Sequence, residues 1–380
     1  METFIQQSAI MFSITSLLVF SLFLGSAYVL TPKLIYFFKK HNQVDKPDER
    51  KLHKESTPSS GGLLFALTII SSITFFYTDS TSLVISLCAF ILLLVGFIDD
   101  RFDLSAKTKF LVQFICTLIV LTQINPINVF GSDYSIINYI VSFIFIVGFT
   151  NAFNLMDGLD GLAGSFALLV LAIFAILLII QHNYTWAIYS ISIIGVLLAF
   201  LYYNVNPAKI FMGDTGSLFL GFTIATIAHV ILNNNATELL RNIPNEYNYL
   251  LLFGLLFLPM IDTVRVMSIR ILKGNSPFKA DRNHLHHYLL KTQIPSIQIP
   301  ALTTAISLFF YTQTYILLST NNSPIQICMM LIVSAIIGFT LLIIVRVQQN
   351  IKKRMEHQVY LKSLYDSKQI LVRPKNLITI

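Results

Sequence analysis

Eleven apolar stretches of about 17–23 residues punctuate this chain of 380 residues, and stretches of that length satisfy their backbone in lipid only as helices. They fall near 8–30, 62–78, 82–98, 107–124, 135–153, 161–181, 185–203, 216–232, 248–269, 299–319 and 325–345. The expected fold is an all-α integral membrane protein of about eleven transmembrane helices. With 55% hydrophobic residues, 12% charged residues and a mean hydropathy of +0.70, about half the usual charged share, a soluble globular domain is excluded. No basic residue precedes the first run and no small-residue cleavage site follows it, so a retained helix is expected, not a signal peptide. Cys88, Cys116 and Cys328 lie singly in apolar stretches, which predicts buried packing and neither a disulfide framework nor a metal site.

Basic residues set the orientation. Of the 26 lysines and arginines, 25 fall in the odd-numbered loops and the tail, and only Arg241 lies in an even loop. The positive-inside rule then predicts an outer N-terminus and a cytoplasmic C-terminus. Two regions are expected: a polytopic catalytic domain over 1–345, and a basic cytoplasmic tail over 346–380. The net charge of +7 belongs to that face and anchors it beside anionic lipid. Arg101, Lys107, Lys209 and Arg282, near the acidic motifs, are candidates for holding a polyanion. No nucleic-acid module is present.

Every acidic cluster lies at this same face, where ionisable groups near lipid are seldom idle. Asp99-Asp100 ends the third stretch; adjacent carboxylates can bind a divalent metal or take a proton, or form a solvated turn. Asn151 to Ser165 carries Asn154, Asp157 and Asp160 at three-residue spacing, which on a helix shares one face. Helix packing and N-capping do not account for an Asn and two Asp within seven residues at an apolar boundary. In Gly213-Asp214-Thr215-Gly216, Asp214 or Thr215 can cap the eighth helix, whose N-terminus favours a phosphate. The stretch Pro277 to Leu290 holds His284, His286 and His287 with Lys279 and Arg282. A zinc site there lacks a usual fourth ligand; a cationic, hydrogen-bonding cradle for a diphosphate fits better. Asp262 and Arg265, one turn apart, form an intramembrane pair open to a structural or a catalytic role. The polar loop Val44 to Gly62 reads only as a structured or binding loop.

Taken together, from the VDKP loop at Val44 to the HLHH loop at His287, these motifs resemble the polyprenyl-phosphate N-acetylhexosamine-1-phosphate transferases, glycosyltransferase family 4. The resemblance implies transfer of a sugar phosphate from a UDP-N-acetylhexosamine to undecaprenyl phosphate, with release of UMP, at the cytoplasmic face of the bacterial inner membrane. It implies Mg²⁺ (or Mn²⁺) on Asp214 and Asn154, and catalytic roles for Asp99, Asp100, Asp157 and Asp160. Substrate binding would fall to Lys46, His53, Lys54, Asn151, Arg282, His284, His286 and His287. The Asp-Arg-Asn-His-Leu-His-His pattern is similar to the UDP-GlcNAc branch that starts O-antigen, common antigen or teichoic acid. The alternative branch transfers phospho-MurNAc-pentapeptide. Outside enzymes, an ion-coupled transporter would place carboxylates near mid-span, and a membrane scaffold would need no aligned polar clusters. The resemblance also allows a homodimer.

Overall fold

The computed structural model describes residues 2–45, 56–205, 207–233, 247–277, 283–292, 294–320 and 322–372. Its helices are α1 (Glu2–Lys40), α2 (Thr68–Phe76), α3 (Ser80–Phe102), α4 (Ala106–Leu121), α5 (Ser135–Met156) and α6 (Leu162–Ile180). They continue as α7 (Tyr184–Asn204), α8 (Gly213–Asn233), α9 (Asn248–Leu272), the short α10 (Leu285–Lys291), α11 (Ile299–Ser319) and α12 (Pro324–Val372). No strand occurs among the described residues; Asp45 and Thr57 form one isolated bridge.

All eleven expected stretches are helical, but nine among the described residues are long and apolar enough to cross a membrane. The two short ones are the second and the fourth. The second opens as a 3-10 turn, Gly61–Leu67, before continuing as α2. Its first amides are drawn sideways: Gly61 N–H donates to Phe211 O at 2.8 Å and Gly62 N–H to Met212 O at 3.0 Å. The fourth, α4, has 16 residues. Capping side chains start several helices, with Asp79 accepting from Ser82 N–H, Ser105 from Thr108 N–H and Asn183 from Trp186 N–H.

Hydroxyls inside the apolar spans bond back to their own helix. Thr31, Thr150, Ser190 and Thr314 each reach the carbonyl four residues earlier at 2.7–2.9 Å, which removes a lone polar group from lipid or core. Outward faces carry bare aliphatics: Leu17, Ile136 and Ile325 are 67%, 75% and 71% exposed, as a lipid solvent requires.

The centre is α8, buried continuously from Thr215 to Ile231 and packed by α3, α5, α6, α9 and the 3-10 turn. The interior divides into two apolar clusters. One is built from α1 to α8 with the start of α9, and the other from α9 to α12. Close approach at the head of α8 depends on Gly62, where a Cβ would lie 2.1 Å from Gly216 N.

Gly62→Ala is therefore expected to force the 3-10 turn off α8, at about 1–3 kcal/mol for an overpacked contact. It should lower the thermal midpoint in detergent, whereas Gly148→Ala, with open space around it, should leave the midpoint unchanged.

Candidate active site

Three helix ends and one loop bring the polar residues together. Asp99 and Asp100 arrive on the last turn of α3, Asn154 on that of α5, and Asp214 on the first turn of α8. Lys109, from the first turn of α4, joins two of them. Its Nζ donates to Asp99 Oδ2 at 2.9 Å and to Asp214 Oδ2 at 2.7 Å. The other oxygens are also engaged: Asp99 Oδ1 accepts from Leu104 N–H at 2.8 Å, and Asp214 Oδ1 from Asn154 Nδ2 at 3.0 Å.

Asp100 has a different task. Its Oδ1 accepts from Asp214 N–H at 2.8 Å, and its Oδ2 from Thr215 N–H at 3.2 Å and Thr215 Oγ1 at 2.5 Å. The cap of α8 thus comes from α3, not from Asp214 or Thr215 themselves. The carboxylate meets orphan amides and the positive end of a helix dipole at once.

Asp157 ends α5 and accepts from Gly213 N–H. Burial, then the charges of Asp214, Asp100 and Asp160, push its carboxyl up to about 8. Asp160 turns toward the loop before α8, accepting from Ala208 N–H at 3.1 Å. Asn151 faces α4: its Nδ2 donates to Gln113 Oε1 at 2.7 Å and to Val147 O at 2.8 Å.

The histidine loop closes the site from α9 and α10. A Cβ on Gly158 would lie 2.4 Å from His286 Nε2, so a bare glycine beside Asp157 lets this ring come close. His284 and His286 are stacked with ring centres 6.0 Å apart, and His287 lies 4.3 Å from His286. Burial, then the charges of His287 and His284, lower His286 to about 3. It is a neutral hydrogen-bonding partner at physiological pH, so the cationic part of the expected cradle does not come from this ring. Lys46, His53, Lys54 and Arg282 lie outside the described residues. Asp45 N–H donates to Thr57 O at 2.8 Å, and Thr57 N–H to Asp45 O at 3.1 Å.

Hard carboxylate oxygens from two helices that converge on one positive charge suit Mg²⁺ or Mn²⁺. Mg²⁺ commonly uses one or two carboxylates and leaves its other positions to water and phosphate. Asp99 and Asp214 supply that set. Asn154 presents Nδ2 to Asp214 and to Ser217 Oγ (2.8 Å), so it would join as a ligand only with its amide turned over. Lys109 was the residue not foreseen. Its signal was a lysine ten positions after Asp99, across a short turn between two apolar runs.

Residues 82–232 match the model of the family described as Glycosyl transferase family 4. A Bacillus subtilis (strain 168) protein named "Probable undecaprenyl-phosphate N-acetylglucosaminyl 1-phosphate transferase" is 31% identical over 69% of this chain and 74% of the relative. Proteins of Escherichia coli O157:H7 and Yersinia pestis, each named "Undecaprenyl-phosphate alpha-N-acetylglucosaminyl 1-phosphate transferase", are 27% and 26% identical. They cover 76% and 69% of this chain, and 81% and 73% of the relatives. The chain belongs to glycosyltransferase family 4. It is a multi-pass membrane enzyme.

Asp100→Ala is expected to uncap α8 and lower the thermal midpoint by an equivalent of about 1–2 kcal/mol. Asp100→Asn, which retains one acceptor, should fall between that variant and the parent in the same melt.

Proposed function

We propose that this enzyme transfers GlcNAc-1-phosphate from UDP-GlcNAc to undecaprenyl phosphate, releasing UMP. The reading is carried by the meeting of Asp99, Asp214 and Lys109 from three helices at one end of the bundle, together with the names of its relatives. In the reaction an oxygen of the lipid phosphate attacks the phosphorus that bears the sugar. The bond to the bridging oxygen breaks, and that oxygen leaves with UMP. A phosphate monoester has a second pKa near 6, so the nucleophile needs little help from a base at neutral pH. Positioning and charge neutralisation dominate.

Lys109 is suited to moving its hydrogen bonds from Asp99 and Asp214 to phosphoryl oxygens. Asp99, next to it, orients the acceptor phosphate. Asp100 keeps the head of α8 fixed, and Asp157 with Gly158 brings the histidine loop up to the same point. Mg²⁺, held by Asp214 and Asp99 beside Asn154, would neutralise the diphosphate and the departing UMP. The basic loops favour a site on the cytoplasmic face of a bacterial inner membrane, with the N-terminus outside.

Eleven crossings accommodate the charge pattern. The 3-10 turn with α2 rises about 27 Å and α4 about 24 Å, close to the roughly 30 Å hydrocarbon core. A transporter is disfavoured because the carboxylates stand at helix ends. The MurNAc-pentapeptide branch is disfavoured by the histidine pattern and by the relatives.

Purified protein with undecaprenyl phosphate, Mg²⁺ and a panel of UDP-sugars should release UMP with UDP-GlcNAc and not with UDP-MurNAc-pentapeptide. Release only with another UDP-N-acetylhexosamine would replace the donor, and no release from folded protein would overturn the reaction. Lys109→Met should lower UMP release by about a hundredfold or more while the protein stays folded; near-parental turnover would remove the lysine from the mechanism.

A further inference from the structure

The pair noted in α9 does more than balance charge. Asp262 is 8% exposed, and both its oxygens are fully engaged. Oδ1 accepts from Arg265 Nη2 at 2.7 Å and Nε at 3.2 Å, and shares Leu285 N–H at 3.1 Å. Oδ2 takes the same amide at 3.0 Å and His284 Nδ1 at 3.0 Å. Arg265 Nη2 in turn donates to Asn283 O at 2.5 Å. One turn of α9 therefore grips three consecutive residues, 283 to 285, where the histidine loop enters α10.

The chemistry of that grip is directional. An ionised carboxylate only accepts hydrogen bonds, so His284 Nδ1 must carry a hydrogen. The other ring nitrogen, Nε2, then alone determines what the ring offers. It is buried, in a residue only 5% exposed, and has no hydrogen-bond partner among the described residues. An orphan of this kind is costly unless a ligand supplies the missing contact. Asp262, His284 and His286 line a cavity of about 20 Å³ with Met156, Leu258 and Thr303, room for about one water or one ligand oxygen.

We propose that Asp262 is a positioning residue that fixes the tautomer and aim of His284, so that Nε2 is held as an acceptor for a hydroxyl or amide N–H of the nucleotide-sugar. This rests on the transferase reading for the identity of the ligand, but not for the tautomer.

The test uses the full-length protein in detergent with ¹⁵N-labelled histidine, the His284 signal being assigned by its loss in His284→Gln. The parental spectrum should show His284 protonated at Nδ1; a neutral ring protonated only at Nε2 overturns the proposal, whether or not any sugar supports turnover. Asp262→Asn should move the proton to Nε2 and lower kcat for UMP release about tenfold or more. In the His284→Gln background the same change should cost less than about twofold, because the two residues act as one unit. Independent, multiplying losses would overturn the proposal, as would an unchanged His284 signal in Asp262→Asn. If Asp262→Asn does not fold, the parental spectrum and the same cycle with Asp262→Glu decide the matter.

Discussion

A helix enclosed by protein on every side cannot leave its first amides to water, and α8 is such a helix. Its opening turn carries Asp214, half-buried, so a negative charge and several orphan donors meet at one helix end. The fold resolves both needs with two side chains from elsewhere. Asp100 of α3 receives the amides of Asp214 and Thr215, and Lys109 of α4 faces the carboxylate of Asp214. Both arrangements require the α3–α4 turn to lie over the head of α8. The left-handed Asp103, with φ of 51°, reverses the chain so that Lys109 returns toward Asp99. The chemistry of the site is thus a by-product of satisfying a buried helix end, which is where an anion would be welcome in any case.

Much of this was legible in the sequence because lipid imposes a simple grammar. Apolar run length predicts the helices, and all eleven runs are helical. The second opens as a 3-10 turn, where backbone donors at Gly61 and Gly62 are spent on residues 211 and 212, a pairing no local pattern announces. The gathering of Asp99, Asn154, Asp157, Asp160 and Asp214 toward one end was also readable, since each stands at the boundary of a run. What each carboxylate touches was not. The cap of α8 comes from a residue 114 positions away, and Asn151, though inside the motif, is held by Gln113.

The histidine loop shows the same limit from the other side. Three histidines in four positions suggested positive charge, yet burial leaves His286 neutral. His284 has a carboxylate, that of Asp262, bonded to its ring nitrogen. Asp262 could be paired with Arg265 by helical spacing, but its bond to a ring 22 residues later belongs to tertiary structure. Spacing within one helix is readable; convergence between helices depends on how the bundle packs.

The division of the interior into two apolar clusters has a mechanical consequence. Asp99, Asp100, Lys109 and Asp214 ride on helices of the first cluster, whereas the Asp262 grip and α10 ride with the second. The carboxylate cluster and the histidine loop therefore face each other across a seam. A small slide of one cluster against the other, with α9 shared between them, would widen or narrow the gap between the carboxylates and His284. The width of that gap would then be set by how two blocks of aliphatic side chains slip past each other, at a distance from any charged residue.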